Sequence, residues 1–232
     1  ENWGLMKKRI CYVLVSLWSA LAISQPVAAQ SDEWKSLIVE IRTLYQQGKL
    51  DRAVLVGTKA LEIAERDLGP EHILVAASLI IVARMYQEQG QYAMAEPLYK
   101  RALAITEKAL GSDHPEVATA LNYLAALYGQ QGQYAAAETL LERSLAIQEK
   151  SFGPKHPAVA IVFKNLAVLY NTQGKYAAAE TSYKRSLEIM EENLGRNHPE
   201  VATALNFLAE FYRAQGQYAA AEPLLERSLA IQ

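Results

Sequence analysis

Four histidines stand at positions 72, 114, 156 and 198, each 42 residues from the next, inside near-copies of one decapeptide. The copies read GPEHILVAAS from Gly69, GSDHPEVATA from Gly111, GPKHPAVAIV from Gly153 and GRNHPEVATA from Gly195. A fixed period of this length constrains the fold more than composition does, because every period must adopt the same local structure and stack on its neighbours. Residues 73–114, 115–156, 157–198 and 199–232 align without gaps, and residues 30–72 form a degenerate first copy. At 51% hydrophobic the chain has material for a core, while a formal charge of −2 offers no basic surface for nucleic acid.

Within the unit that opens at Pro115, Leu121, Leu124, Ala125 and Tyr128 fall at helical spacing and share one face of a first helix. QQGQY follows, with Gly132 as a turn residue able to take positive φ. Ala137, Leu141, Ser144 and Leu145 then share one face of a second helix, which Gly153 terminates and Pro157 follows at the first turn of the next helix. Alanines recur at 83, 125, 167 and 209 in first helices and at 53, 95, 137, 179 and 221 in second helices, where backbones must approach closely. A pair this small cannot bury its own apolar face, so pairs must stack.

The spacing of Leu121, Leu124, Ala125, Tyr128, Gly132, Tyr134 and Ala137 resembles the tetratricopeptide repeat, and the longer GSDHPEVATALNYLAALYGQQGQYAAAE resembles its 42-residue kinesin-light-chain-type variant, frequent in exported and signalling proteins of bacteria. The resemblance implies an all-α, right-handed superhelical solenoid of stacked antiparallel helix pairs, with first helices lining a concave, protein- or peptide-binding groove. The first copy departs from the pattern: Arg42 is aligned with the small alanine, Leu50 replaces the tyrosine, and the segment before the turn is read as one residue short.

Met6, Lys7, Lys8 and Arg9 precede the apolar run ICYVLVSLWSALAIS and then QPVAAQ, the three-part layout of a secretory signal. Val27 and Ala29 hold the small-residue positions, placing cleavage after Ala29 and the mature protein in a bacterial periplasm or outside the cell. The apolar run is shorter than the ~20 residues of a spanning helix, so no stable membrane span is expected after cleavage. Cys11, the one cysteine, falls in the removed segment, which takes disulfides, thiolate catalysis and cysteine metal sites out of the mature chain.

One histidine per repeat cannot form a metal centre, since stacked helices lie ~10 Å apart and ligands must meet within ~2 Å of one ion. The expected role is instead at helix starts, where an imidazole satisfies orphan N–H groups. Tyr92, Tyr134, Tyr176 and Tyr218 read as packing at the helix junction. Glu96, Glu138, Glu180 and Glu222 form a ladder expected to be solvated or paired with lysine and arginine. No carboxylate pair, nucleophile elbow or phosphate loop is present, so no catalytic residue, metal or cofactor is expected and the chain is not read as an enzyme.

Shared positions are consumed by packing, which leaves recognition to positions where repeats differ. By the resemblance, Ile80, Asn122, Lys164 and Asn206 form a groove row, with Arg84, Ala126, Val168 and Glu210 one turn on. Asparagine offers donor and acceptors to a peptide backbone. Lys164, with Arg84 and Arg213 and opposed by Glu210, offers a charge for a carboxylate. The implied partner is a protein or peptide. The final segment LLERSLAIQ presents an apolar face suited to self-association or further repeats. A second expectation, also from the resemblance, is that the array is the sensing part of a longer enzyme, such as a caspase-like protease, continuing after Gln232.

Overall fold

The structure, a computed structural model, describes residues 32–231, and the candidate signal segment lies outside them. Among the described residues there are ten α-helices and no strand. They divide into two compact units, one ending at Leu110 and one beginning at Gly111. The first holds α1 (Asp32–Gln46), α2 (Leu50–Leu68), α3 (Ile73–Glu88) and α4 (Tyr92–Leu110). The second holds α5 (Pro115–Gln130), α6 (Tyr134–Phe152), α7 (Pro157–Thr172), α8 (Tyr176–Leu194), α9 (Pro199–Ala214) and α10 (Tyr218–Ile231). Within each unit every helix packs on the next, and in the second α5 also meets α7.

Two kinds of turn repeat. Inside a pair, Gly132 takes φ 76°, and the Gln133 N–H reaches back to the Tyr128 carbonyl at 2.8 Å, a Schellman closure that satisfies a carbonyl the helix leaves orphaned. At the junction before α7, Gly153 takes φ 86° and ψ 161°, a region that favours glycine, and its N–H donates to the Glu149 carbonyl at 2.9 Å. His156 then adopts extended backbone, and its Nδ1 accepts the Ala158 N–H at 3.2 Å. His72, His114 and His198 repeat this cap on Leu74, Glu116 and Glu200, also at 3.2 Å. The expected helix-start role is thus filled through one specific nitrogen.

Second helices are tied to their own first helices by a buried serine. Ser144 Oγ donates to the Ala118 carbonyl at 3.0 Å, Ser186 to Ala160 at 2.8 Å and Ser228 to Ala202 at 3.0 Å. Each bond pairs a hydroxyl that would be costly to bury alone. In the first unit Ala102 takes that position, and the corresponding polar link joins Trp34 Nε1 to Ser78 Oγ at 2.9 Å, with Ser78 donating onward to the Leu74 carbonyl.

The first helix pair is regular, and its register differs from the expected one. The Lys49 N–H bonds the Leu44 carbonyl at 2.9 Å, just as Gln133 bonds Tyr128, so the copy aligns without a missing residue. Leu44 therefore stands in the position of Tyr128, Leu50 stands in that of Tyr134 as expected, and Ile41, not Arg42, stands in the small-alanine position. Ile41 is bulky where Ala83, Ala125, Ala167 and Ala209 are small, and Gly57 is small where Tyr99, Leu141, Tyr183 and Leu225 are large. A Cβ at Gly57 would lie 3.0 Å from Val82 Cγ2 and 3.9 Å from Ile41 Cδ1. The two positions have exchanged bulk, which keeps α2 close to α3.

Gly57→Leu alone is expected to overpack the first unit and cost about 1–3 kcal/mol, and Ile41→Ala alone to leave a cavity costing about 2–5 kcal/mol. The double variant should recover a substantial part of the summed loss, as measured by urea denaturation in a double-mutant cycle. Strict additivity would contradict the exchange.

Candidate peptide-binding row

The residues expected to line a groove fall in both units. In the first, Ile80 is half-buried against the core that α1, α2 and α3 share, and Arg84 retains only 6% of its surface, leaving little of it for a ligand. The expectation that Arg84 joins Lys164 as a carboxylate-binding cation is therefore replaced by a packed Arg84. In the second unit, Asn122 on α5, Lys164 on α7 and Asn206 on α9 occupy one position of successive first helices, and all three are half-buried. One turn on, Ala126 and Val168 are exposed, Val168 at 44%.

Asn122 presents a buried Oδ1 with no hydrogen-bond partner. A buried amide oxygen left unpaired costs free energy that a ligand N–H would return. Lys164 extends its Nζ over the Phe207 ring, 5.5 Å from the centroid. Lys164 as a whole is only half-buried, but protein surrounds it closely enough that desolvation lowers its pKa to about 8. The aromatic face holds the cation while the surroundings leave it poorly hydrated. Glu210 and Arg213 bind each other at 3.1 Å, so Arg213 meets a carboxylate already on α9.

The other ladders serve the stack. The Tyr212 hydroxyl of α9 donates to Glu180 Oε1 of α8 at 2.8 Å, and Lys184 donates to the same oxygen at 2.6 Å. Lys184 first and Tyr212 second hold the Glu180 carboxyl below its ordinary range. Tyr170 of α7 is placed in the same way against Glu138 of α6, with its hydroxyl pushed up to about 12 by burial first and by Glu138 second. Glu138 also takes Lys175 at 3.3 Å, and Glu96 takes Lys100 at 2.7 Å. Glu96, Glu138 and Glu180 are paired with lysines as expected, and Glu138 and Glu180 also bond a tyrosine of the next first helix. The constant offset of 32 residues from Glu138 to Tyr170 and from Glu180 to Tyr212 was the signal available for these tyrosine bonds.

Among the described residues no group of three or more histidine, cysteine, aspartate or glutamate side chains could hold a metal ion, and no helix is long and apolar enough to cross a membrane. The arrangement defines a helical-repeat binding scaffold. The tetratricopeptide repeat model matches residues 41–108, 82–150, 116–192 and 164–232, and the chain belongs to the tetratricopeptide repeat family.

Among solved structures, the chain is similar to a kinesin-light-chain protein of Podosopora anserina with nearly identical TPR-like repeats, at 31% identity over 88% of this chain and 97% of that one, with a TM-score of 0.66. BtubC (BKLC) of P. vanneervenii shares the fold at 23% identity over 97% of this chain and 89% of that one, with a TM-score of 0.69. A Rap protein complexed with Competence and Sporulation Factor shares it at 20% identity and a TM-score of 0.72, over 86% of this chain and 54% of that one. No curated protein matches the sequence.

The depressed Lys164 gives a pH signature. Above about pH 8 the folded chain has released this proton while the unfolded chain, with its value of 10.5, still holds it, so stability rises with pH across that window. Lys164→Met should raise stability at pH 7 by about 1–2 kcal/mol, a figure kept below the full shift because the residue is partly exposed. It should also flatten the rise between about pH 8 and 9.5, before tyrosines ionise. Urea titrations across that range measure both effects.

Proposed function

We propose that this chain is a non-catalytic scaffold that binds an extended protein or peptide segment along the row made by Asn122, Lys164 and Asn206. The observation that carries the reading is the unpaired, buried Asn122 Oδ1, an acceptor whose hydrogen-bonding capacity the fold leaves unused. Asn206, one position of the row further along on α9, supplies the same amide chemistry, and its donor and acceptor suit main-chain groups without regard to side-chain identity. Lys164 between them adds a cation that Phe207 steadies and that water hydrates poorly. A carboxylate on the ligand, whether a side chain or a chain end, is the group it would hold best. Exposed Val168 and Ala126 flank the polar row and favour an aliphatic side chain beside the acid.

Stacked helices hold the row before any ligand arrives, so little ordering cost falls on the scaffold. The family typically serves as a non-catalytic binding scaffold, and the Rap relative carries a bound factor in its structure. Export to a bacterial periplasm or beyond belongs to the same proposal, supported by the basic start, apolar run and small residues of positions 6–29. N-terminal sequencing of the mature protein tests it, with Gln30 as the expected first residue.

Selection of peptides from a random display library against the folded chain should yield binders. Asn122→Ala, Lys164→Ala and Asn206→Ala combined should weaken them roughly five- to thirtyfold, the equivalent of about 1–2 kcal/mol in hydrogen bonds and charge. Selected peptides that bind the folded triple variant unchanged would refute the assignment of the row.

A further inference from the structure

All four junction histidines use the same ring nitrogen in the same way. Nδ1 of His72, His114, His156 and His198 accepts a backbone N–H two residues on, at 3.2 Å in each case. A backbone N–H can only donate, so each Nδ1 must carry a free lone pair, and the proton of the neutral ring resides on Nε2. The usual caps are serine, threonine, aspartate and asparagine, none of which becomes a donor alone in mild acid. A histidine that takes a proton on Nδ1 loses its acceptor and turns a second N–H toward the first. It also sets a cation at the positive end of the helix, where the dipole opposes it.

We propose that the junctions form an acid-responsive capping ladder, in which protonation of the imidazoles releases the starts of α3, α5, α7 and α9 together. The ladder is part of the fold's own periodicity: one titratable cap occurs per 42-residue unit, with no serine, threonine, asparagine or aspartate at any of the four cap positions. The rest of each junction is held by the His N–H on the glycine carbonyl at 3.2–3.3 Å and by one side chain of the following second helix: Arg101 donates to the Pro70 carbonyl at 3.4 Å, Arg143 to Ser112 at 3.3 Å, Asn193 to Lys155 and Arg227 to Arg196 at 2.8 Å.

The charged groups around each cap are paired among themselves. Near His72, Glu71 bonds Lys108 and Glu65 bonds Arg101 at 2.6 Å. Near His114, Asp113 bonds Lys150 at 2.6 Å, and Glu116 follows in the first turn, its carboxyl pushed up by burial. Near His156, Lys155 bonds Glu192 at 3.1 Å, and Phe152 stacks on the imidazole with centroids 4.4 Å apart. Near His198, Arg227 bonds Glu191 and the Arg196 carbonyl, and Glu200 follows in the first turn. Asp113, with its carboxyl held low by Lys150, keeps its charge throughout the imidazole range. Acid in that range therefore acts on the His114 cap before it acts on the Asp113–Lys150 pair.

The test is amide hydrogen exchange by NMR on the whole chain, read at Leu74, Glu116, Ala158 and Glu200 and corrected for intrinsic rates. Between about pH 7.5 and 5.5, across the range where imidazole titrates, the opening constant at these amides should rise roughly fivefold, the worth of one cap. The four-site variant His72→Asn, His114→Asn, His156→Asn and His198→Asn keeps a good cap without a titrating group, and its opening constants should stay flat. An unchanged acid response in that variant, or no response in the wild type, would overturn the proposal. Should the variant fail to fold, imidazole ¹⁵N spectra of the wild type decide: a neutral ring protonated on Nε2 supports the ladder, and one protonated on Nδ1 overturns it.

Discussion

The bond from each junction histidine N–H to the carbonyl of the glycine three residues before it recurs at 3.2–3.3 Å in all four copies. It closes the junction between pairs, where the chain must stop one helix, reverse and start another with no regular helical hydrogen bonds to guide it. Glycine at positive φ permits the reversal and extended histidine aims its ring at the new helix. Pro115, Pro157 and Pro199 then open three of the helices at the cost of no needed donor. Once the junction is set, the apolar faces of successive helices are brought into register.

Packing then proceeds by neighbours. Serine hydroxyls join second helices to first helices within a pair, and Tyr212–Glu180 joins one pair to the next. No cluster of buried side chains spans a whole unit of three pairs; the second unit has separate clusters around Ala125 and Leu141, around Ile189 and Leu205, and around Ala209 and Tyr212. Stability in such an array approximates a sum of repeat and interface contributions. The exchange of bulk between Ile41 and Gly57 shows how one pair can differ while presenting the same spacing to the next.

Much of this was legible in the sequence because periodicity states it several times over. The helices, both turn glycines, the capping histidines and the stack all follow from positions repeated every 42 residues. The register of the first copy differs by one residue from the expected one because a single degenerate copy carries no internal check. Hydrogen bonds to Leu44 and Tyr45 resolve it. Of the candidate row, spacing alone placed Asn122, Lys164 and Asn206 on equivalent positions. It said nothing about side-chain direction, so the burial of Arg84, the stacking of Lys164 on Phe207 and the pairing of Arg213 with Glu210 emerged only in three dimensions.

Positions that agree between repeats build the stack, and the proposed function assigns recognition to positions that differ. The direct measurement is NMR chemical-shift mapping of the labelled chain with a peptide selected for binding. The account predicts perturbation of the side-chain amides of Asn122 and Asn206, of the Lys164 ammonium and of the Phe207 ring. It predicts silence at Ala135, Ala177 and Ala219, exposed alanines in the first turns of α6, α8 and α10. Perturbations centred on those alanines, with the asparagine amides unmoved, would contradict it.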